Sequence, residues 1–266
     1  MAATNTAIAN LALTRIGEQT VSDINEGTDT VSVKSLLIYT QALEELLTAG
    51  PELGWKFAKR RVRLDREAMT ITAFADPLTG STTTVTATHT LVAGDMVVID
   101  GTTNYDGEYE VLTVTGTTAF SITKAFVADD ATGTAYWTSE EYGYRFTMPT
   151  SLRIVSMQQG GLELTDWVRE GVFLLTNQSD EDIDLVYVQS IITTTLFPSH
   201  FTRVLILKMA IQLIYALNQD LKAVQGLEYE LDKAMNKAIA MDEREQYVKE
   251  YSSSWVDIGN TTDTLE

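Results

Sequence analysis

The chain contains no cysteine and only two histidines among its 266 residues. Without cysteine it has no disulfides, no thiolate zinc site and no cysteine nucleophile. His89 and His200 are the only side chains that ordinarily titrate near neutral pH, and neither lies in a metal-binding pattern such as His-Glu-x-x-His. Glycine-rich phosphate loops and Gly-x-Ser-x-Gly elbows are also missing. The sequence therefore predicts a protein that is not an enzyme and holds no cofactor or metal.

Long apolar runs are also scarce. The best one, from Val204 to Leu217, includes Lys208 and Gln212 and spans about 14 residues, fewer than the roughly 20 that cross a bilayer. The first residues lack the charged region and continuous apolar run of a signal peptide. We therefore expect a soluble chain that is made in the cytoplasm and has no membrane partner.

Basic residues are also few. Lysine and arginine total 19 against 37 aspartates and glutamates, which gives a net charge of -18. Nonspecific binding to duplex DNA depends on basic side chains that neutralise phosphates, so this balance argues against it. The apolar fraction of 44% is nevertheless large enough to form a globular core.

Two helices are predicted near the beginning of the chain. The first runs from a cap at Thr4 or Asn5 to Ile16, and Gly17 ends it. The second begins near residue 30 and ends before Gly50-Pro51, because a glycine followed by proline is a helix stop. Its apolar residues recur with helical spacing at Val33, Leu36, Leu37, Leu43 and Leu47.

The turn after this helix combines large aromatic side chains with the densest basic cluster of the chain. One interpretation is an aromatic cap on the helical core beside a solvated run of charge. The other is a docking surface for an acidic neighbour or, as a less favoured alternative, for DNA phosphates. The residues predicted to bind a partner here are Trp55, Phe57, Lys59, Arg60 and Arg61.

The pattern then changes to that of strands. Val62 and Leu64 alternate with polar residues, and we expect this strand to pair with the alternating segment from Tyr142 to Met148. Residues 67–139, rich in threonine, valine and glycine turns, are predicted to form an inserted antiparallel barrel or sandwich. Residues 1–66 and 140–266 form the other predicted domain.

Helical periodicity returns in the last quarter. Ser199 to Asn218 is apolar nearly all round and is predicted to be buried. Leu221 to Lys249 has a narrower apolar seam that includes Ala238 and Met241. The predicted fold class is therefore α+β, a helical bundle with a small antiparallel β region and an inserted all-β barrel or sandwich domain. The polar tail carries three further residues predicted to bind a partner, Trp255, Val256 and Ile258. The alternative is that Trp255 folds back onto the helical bundle of its own chain.

Several short motifs occur in an order that resembles the tail tubular protein A family, the head-to-tail adaptors of T7-like short-tailed bacteriophages. The resemblance covers residues 1–66 and 140–258, whereas residues 67–139 depart from the family pattern. No single motif is specific, so the resemblance depends on their order. The motifs are Leu13-Thr14-Arg15-Ile16-Gly17-Glu18, Leu53-Gly54-Trp55-Lys56-Phe57-Ala58-Lys59-Arg60, Tyr142-Gly143-Tyr144-Arg145-Phe146, Ser151-Leu152-Arg153-Ile154 and Asp242-Glu243-Arg244-Glu245.

The resemblance implies a structural virion protein at the head-tail junction. Copies would form a homo-oligomeric ring, twelvefold by resemblance, between the portal protein and the tail nozzle protein. Duplex DNA would pass through its channel without sequence recognition, and the ring would seal the head after packaging. The alternative is a virion binding module whose inserted β domain recognises a host surface or a glycan. A glycan hydrolase would need two paired carboxylates in a cleft, and the sequence does not place such a pair.

Overall fold

The computed structural model describes residues 4–78, 80–179, 181–218 and 221–244. The chain divides into two compact units. Unit 1 consists of Met1–Ala58 and Ile191–Glu266, and unit 2 consists of Lys59–Ser190.

Unit 1 contains the helices α1 (Asn5–Arg15), α2 (Thr30–Thr48), α3 (Ser199–Leu213) and α4 (Leu221–Arg244). The Thr4 hydroxyl accepts a hydrogen bond from the backbone N–H of Ala7, and Asp29 caps α2 in the same way. Gly17 adopts a left-handed backbone after α1, with φ at 76°. The two helices predicted near the beginning of the chain are therefore confirmed.

Helix α3 is the centre of unit 1. The other three helices all pack against it, and a π-helical turn, Ile214–Asn218, continues it. Its buried residues include Leu205 and Leu207, which lie on nearly opposite sides of the helix. Among the described residues one helical stretch, Ser199–Leu217, is long and apolar enough to cross a membrane, and half of it is buried inside the protein. A core helix has the same length and composition.

Unit 2 contains two open sheets with a shared core. The four-stranded sheet has the order β1-β13-β9-β10, and the three-stranded sheet has the order β11-β12-β8. Leu64, Phe146, Met157, Leu174 and Leu185 are buried together in this core. The strands are β1 (Lys59–Leu64), β8 (Tyr144–Thr147), β9 (Arg153–Gln159), β10 (Leu162–Glu163), β11 (Trp167–Glu170), β12 (Phe173–Thr176) and β13 (Ile183–Val188).

The other six strands of unit 2 form a closed barrel in the order β2-β3-β6-β5-β4-β7. Buried side chains fill its interior, among them Phe74 and Tyr105, whose rings stack 3.9 Å apart. The Tyr105 hydroxyl accepts hydrogen bonds from the backbone N–H groups of Val127 and Ala128, so this tyrosine is an internal anchor. The barrel strands are β2 (Ala68–Ala75), β3 (Thr83–Ala87), β4 (Met96–Asp100), β5 (Gly107–Thr115), β6 (Ala119–Ile122) and β7 (Thr134–Thr138).

The predicted helical bundle with a small β region is wrong. In the part of the chain that the structure describes, 13 strands and a six-stranded closed barrel make the protein mostly β, with four helices. The prediction underestimated the strands because most of them are short and pair with strands far away in the sequence, which local periodicity does not reveal. The division into 1–66 with 140–266 and an inserted domain at 67–139 stays a prediction.

The predicted partner of β1 is also wrong. All six residues of β1 pair with β13, and β8 pairs with β12 in the other sheet. Between the two predicted partners there is one isolated bridge, Arg66 to Phe146, and a hydrogen bond from the Glu67 N–H to the Arg145 carbonyl. Alternation shows which side chains share a face of a strand, but it does not choose the neighbouring strand.

Candidate partner-binding site

Trp55 lies in the core of unit 1 and is fully buried. Its indole Nε1 donates a hydrogen bond of 2.8 Å to the carbonyl of Leu46, and its ring meets the edge of Phe201 at a centroid distance of 5.3 Å. Gly50 makes room for the indole, because a Cβ there would lie 2.9 Å from Cε2 and closer still to Nε1. The side chain of Trp55 offers no surface to a partner, which corrects the prediction for this residue.

Phe57 is half-buried and joins the same aromatic cluster. Its ring lies 4.8 Å from Phe201 and 5.8 Å from Phe197, in edge-on orientations that favour aromatic pairs. The turn after α2 is therefore attached to the beginning of α3. The partner-binding role of Phe57 stays a prediction that concerns only its exposed part.

Lys56 attaches this turn to the end of α4. Its backbone N–H donates to the Asp242 carboxylate at 3.1 Å, and its Nζ donates to the carbonyls of Asp242 and Glu243. Asp242 is buried, whereas Met241, which we predicted in the apolar seam, is 43% exposed. The seam was expected on the outside of the bundle or against a neighbouring subunit, so the exposure of Met241 leaves this prediction open. The contacts with Lys56 hold the end of α4 in place.

A groove of about 540 Å³ lies between α3 and α4. Small or apolar residues of α4, Ala234, Ala238 and Met241, line one part of it. Three exposed cationic side chains line another part, Arg203 from α3 and Lys233 and Lys237 from α4. Ser199, His200 and Glu230 complete the lining. The groove therefore combines an apolar surface with a basic one.

The described residues of unit 1 do not neutralise the positive charge of the groove. Within the described ranges, none of Arg203, Lys233 and Lys237 forms an ion pair, and the Lys233 ammonium lies 4.3 Å from the centroid of the Tyr229 ring. Glu230, the one carboxylate in the lining, pairs instead with Arg15 at 3.0 Å. On a chain with a net charge of -18, this groove is a local basic surface.

His200 connects the groove to the aromatic cluster. Its ring lies 6.3 Å from that of Trp55, and its Nε2 is buried with no hydrogen-bond partner among the described residues. The other histidine, His89, is satisfied inside the barrel. Its Nδ1 accepts from the N–H of Leu91, so its Nε2 carries the proton and donates to the Ala119 carbonyl at 3.0 Å.

The predicted basic residues after Phe57 belong to unit 2. Lys59 and Arg60 are half-buried in β1, and Arg61 is exposed. Arg61 and Arg63 face a shallow groove of about 400 Å³ across β1, β13 and β9, lined also by Ser156, Gln158 and Asp184. The aromatic and basic halves of the predicted docking surface therefore lie in different compact units. The role of Lys59, Arg60 and Arg61 stays a prediction.

Trp255, Val256 and Ile258 lie outside the described residues, so their predicted role stays a prediction. The structure adds three residues that the sequence analysis did not single out, Arg203, Lys233 and Lys237. The signal available in the sequence was weak. Lys233 and Lys237 are four residues apart and so lie on one side of a helix, but such spacing is common on solvated helices.

Among the described residues no group of three or more histidine, aspartate and glutamate side chains is arranged to hold a metal ion. No protein-family model matches this sequence, and no curated protein matches it either. The resemblance to the tail tubular protein A family therefore depends on the order of the short motifs quoted above.

Proposed function

We propose that this chain is a structural head-to-tail adaptor of a short-tailed phage. Copies pack side by side into a ring that binds the portal on one side and the tail nozzle on the other. Two features of the sequence support the proposal, the order of the short motifs and the strongly acidic composition. Acidic walls repel the DNA backbone, so a duplex can pass through the channel without binding to it.

The structural observation that carries the proposal is an exposed apolar line on α2. Val33 and Leu37, one helical turn apart, are 45% and 66% exposed, while Tyr39, Leu43 and Leu47 on the same helix are buried. Leu11 on α1 is also half-exposed. The second helix therefore has apolar residues on two faces, one for the core of unit 1 and one that no described segment covers. Such a face is typical of a subunit interface.

The exposed apolar residues of α2 are too few to hold two copies together by themselves. Complete burial of a leucine or valine contributes roughly 1.5–3 kcal/mol, so the two partly exposed side chains supply about 2–3 kcal/mol on burial. Association costs an estimated 4–15 kcal/mol in lost freedom of motion. The ring must therefore include further contacts between copies. When two different surfaces of neighbouring copies form the contact, the copies close into a ring if the rotation from one copy to the next is a whole-number fraction of 360°.

The interface is tested by placing one charge in it. Leu37→Lys keeps a good helix former but would bury an ammonium between copies. We expect wild-type protein to give a discrete oligomer by light scattering, alone or on purified portal rings, and Leu37→Lys to remain a monomer in both conditions. The matched control is Leu162→Lys, because Leu162 is 75% exposed on β10 in unit 2. Identical masses for wild type and Leu37→Lys would show that α2 is not the interface.

A further inference from the structure

The residues that line the groove between α3 and α4 indicate which kind of partner it would bind. Its apolar residues Ala234, Ala238 and Met241 suit an apolar or aromatic side chain, and its cations Arg203 and Lys237 suit carboxylates. A volume of about 540 Å³ is within the range of roughly 300–1,000 Å³ that is usual for ligand pockets. Ala234 and Ala238 contribute only small side chains to this lining. The occupant is thus an acidic peptide with an aromatic anchor.

The chain itself contains such a peptide. Residues 245–266 carry five carboxylates and one lysine, and Trp255 stands among them with Val256 and Ile258. Asp257 follows two residues after Trp255, so in an extended bound peptide the indole and this carboxylate would face the same side. Lysine and arginine also attract the face of an indole ring. The tail therefore matches both the apolar and the basic part of the groove.

We infer that the groove between α3 and α4 binds the segment 250–258 of a neighbouring copy, with Trp255 as its anchor. This inference rests on the proposed ring and names one contact that joins its copies. The direction of α4 favours a neighbour. The helix runs past the groove from Glu230 to Met241 and ends beyond it at Arg244, where the contacts between Lys56 and Asp242 hold it. A segment that follows Arg244 would have to reverse direction to occupy the groove of its own copy, whereas a segment of a neighbouring copy would not.

The absence of cysteine allows a direct test in the full chain. Met241→Cys places a thiol in the groove, and Val256→Cys places one beside the anchor in the tail. Under mild oxidation the double variant should form disulfide-linked multimers on a nonreducing gel, because each copy joins to the next. The control pair, Val114→Cys with Val256→Cys, places the first thiol on β5 of the barrel and should give no multimers.

Charge reversal provides a second test. Lys233→Glu with Lys237→Glu should raise the concentration needed for ring formation about tenfold, because each exposed pair contributes up to about 1 kcal/mol and reversal adds repulsion. Introducing Glu250→Lys and Asp257→Lys in the same chain should restore assembly. A merely structural defect of the α4 variant would not be rescued by changes in the tail.

The outcomes separate this inference from the proposed function. A disulfide within single copies would overturn the neighbouring-copy assignment, since the tail would then occupy its own groove. No disulfide, or unchanged assembly after charge reversal in a protein that still forms rings, would overturn the groove as the tail site and leave the adaptor proposal intact. Protection of the groove cysteine by inorganic phosphate without any cross-link would show a simple anion site and would also overturn the inference. If wild-type protein forms no ring, alone or on the portal, the proposed function itself fails.

Discussion

Arg145 lies at the centre of a buried polar network between the barrel and the two sheets of unit 2. Its side chain is 6% exposed, and its Nε donates to Glu67 Oε2 at 2.5 Å. An Nη donates to the Thr90 hydroxyl at 3.0 Å, and that hydroxyl donates to the other oxygen of Glu67 at 2.7 Å. The guanidinium also lies over the rings of Trp137 and Phe173, at 4.9 and 4.4 Å from their centroids. We predict that this network stabilises unit 2 as a whole.

The expected magnitude follows from what each substitution leaves behind. Arg145→Met keeps apolar contact with the two rings but leaves the Glu67 carboxylate buried without its cation, which costs about 3–5 kcal/mol. That is a large fraction of the 5–15 kcal/mol typical of a folded domain. Replacing both partners removes the unpaired charge, so Arg145→Met with Glu67→Met should recover most of the loss.

The assay is urea denaturation of wild type, the two single variants and the double variant, followed by circular dichroism. The four free energies of unfolding form a double-mutant cycle that isolates the coupling between the two side chains. A cost below about 1 kcal/mol for Arg145→Met, or a double variant as unstable as the worse single variant, would show that this ion pair does not stabilise unit 2 in the way proposed.

Two further predictions concern unit 1. Gly50→Ala should lower stability by about 1–3 kcal/mol in thermal melting, because the new methyl group displaces the Trp55 indole from its hydrogen bond with Leu46. The matched control is Gly226→Ala in α4. A Cβ at position 226 would meet open space, so this variant should be as stable as wild type or slightly more stable. Burial raises the pKa of Tyr39 from 10.0 to about 12, and its hydroxyl has no hydrogen-bond partner among the described residues, so Tyr39→Phe should not lower stability at pH 7. Above pH 10 the Tyr39 hydroxyl ionises in the unfolded chain before it ionises in the folded one, so the wild type loses stability as the pH rises. At pH 11 urea titrations should therefore show Tyr39→Phe about 1.4 kcal/mol more stable relative to wild type than at pH 7. An equal loss of stability in both proteins would contradict this prediction.

The local signals of the sequence predicted the first two helices well. Thr4 and Gly17 mark the ends of α1, and Gly50-Pro51 marks the end of α2, because caps and stops depend on a few consecutive residues. The sheets were predicted poorly for the opposite reason. The β1 strand pairs with β13 more than a hundred residues later, and hydrophobic alternation does not encode that choice.

The candidate site could also be predicted only in part, because it depends on residues that are far apart in the sequence. The sequence identified Trp55 and Phe57 as unusual aromatic residues, but residue type does not reveal that the Trp55 ring packs inward against Gly50. The cations of the groove come from two helices, and Arg203 and Lys237 face one groove only after α3 and α4 pack together. Asp242 was noted only as part of a motif, because its burial depends on donors supplied by Lys56, which is far away in the sequence.

The proposed function requires that copies of this chain form a ring that attaches to a portal. Native mass spectrometry of the 266-residue chain, alone and mixed with purified portal rings, measures this assembly directly. We expect a discrete closed oligomer, or a monomer that assembles into a fixed number of copies only on the portal. A monomer whose mass does not change when portal rings are added would contradict it.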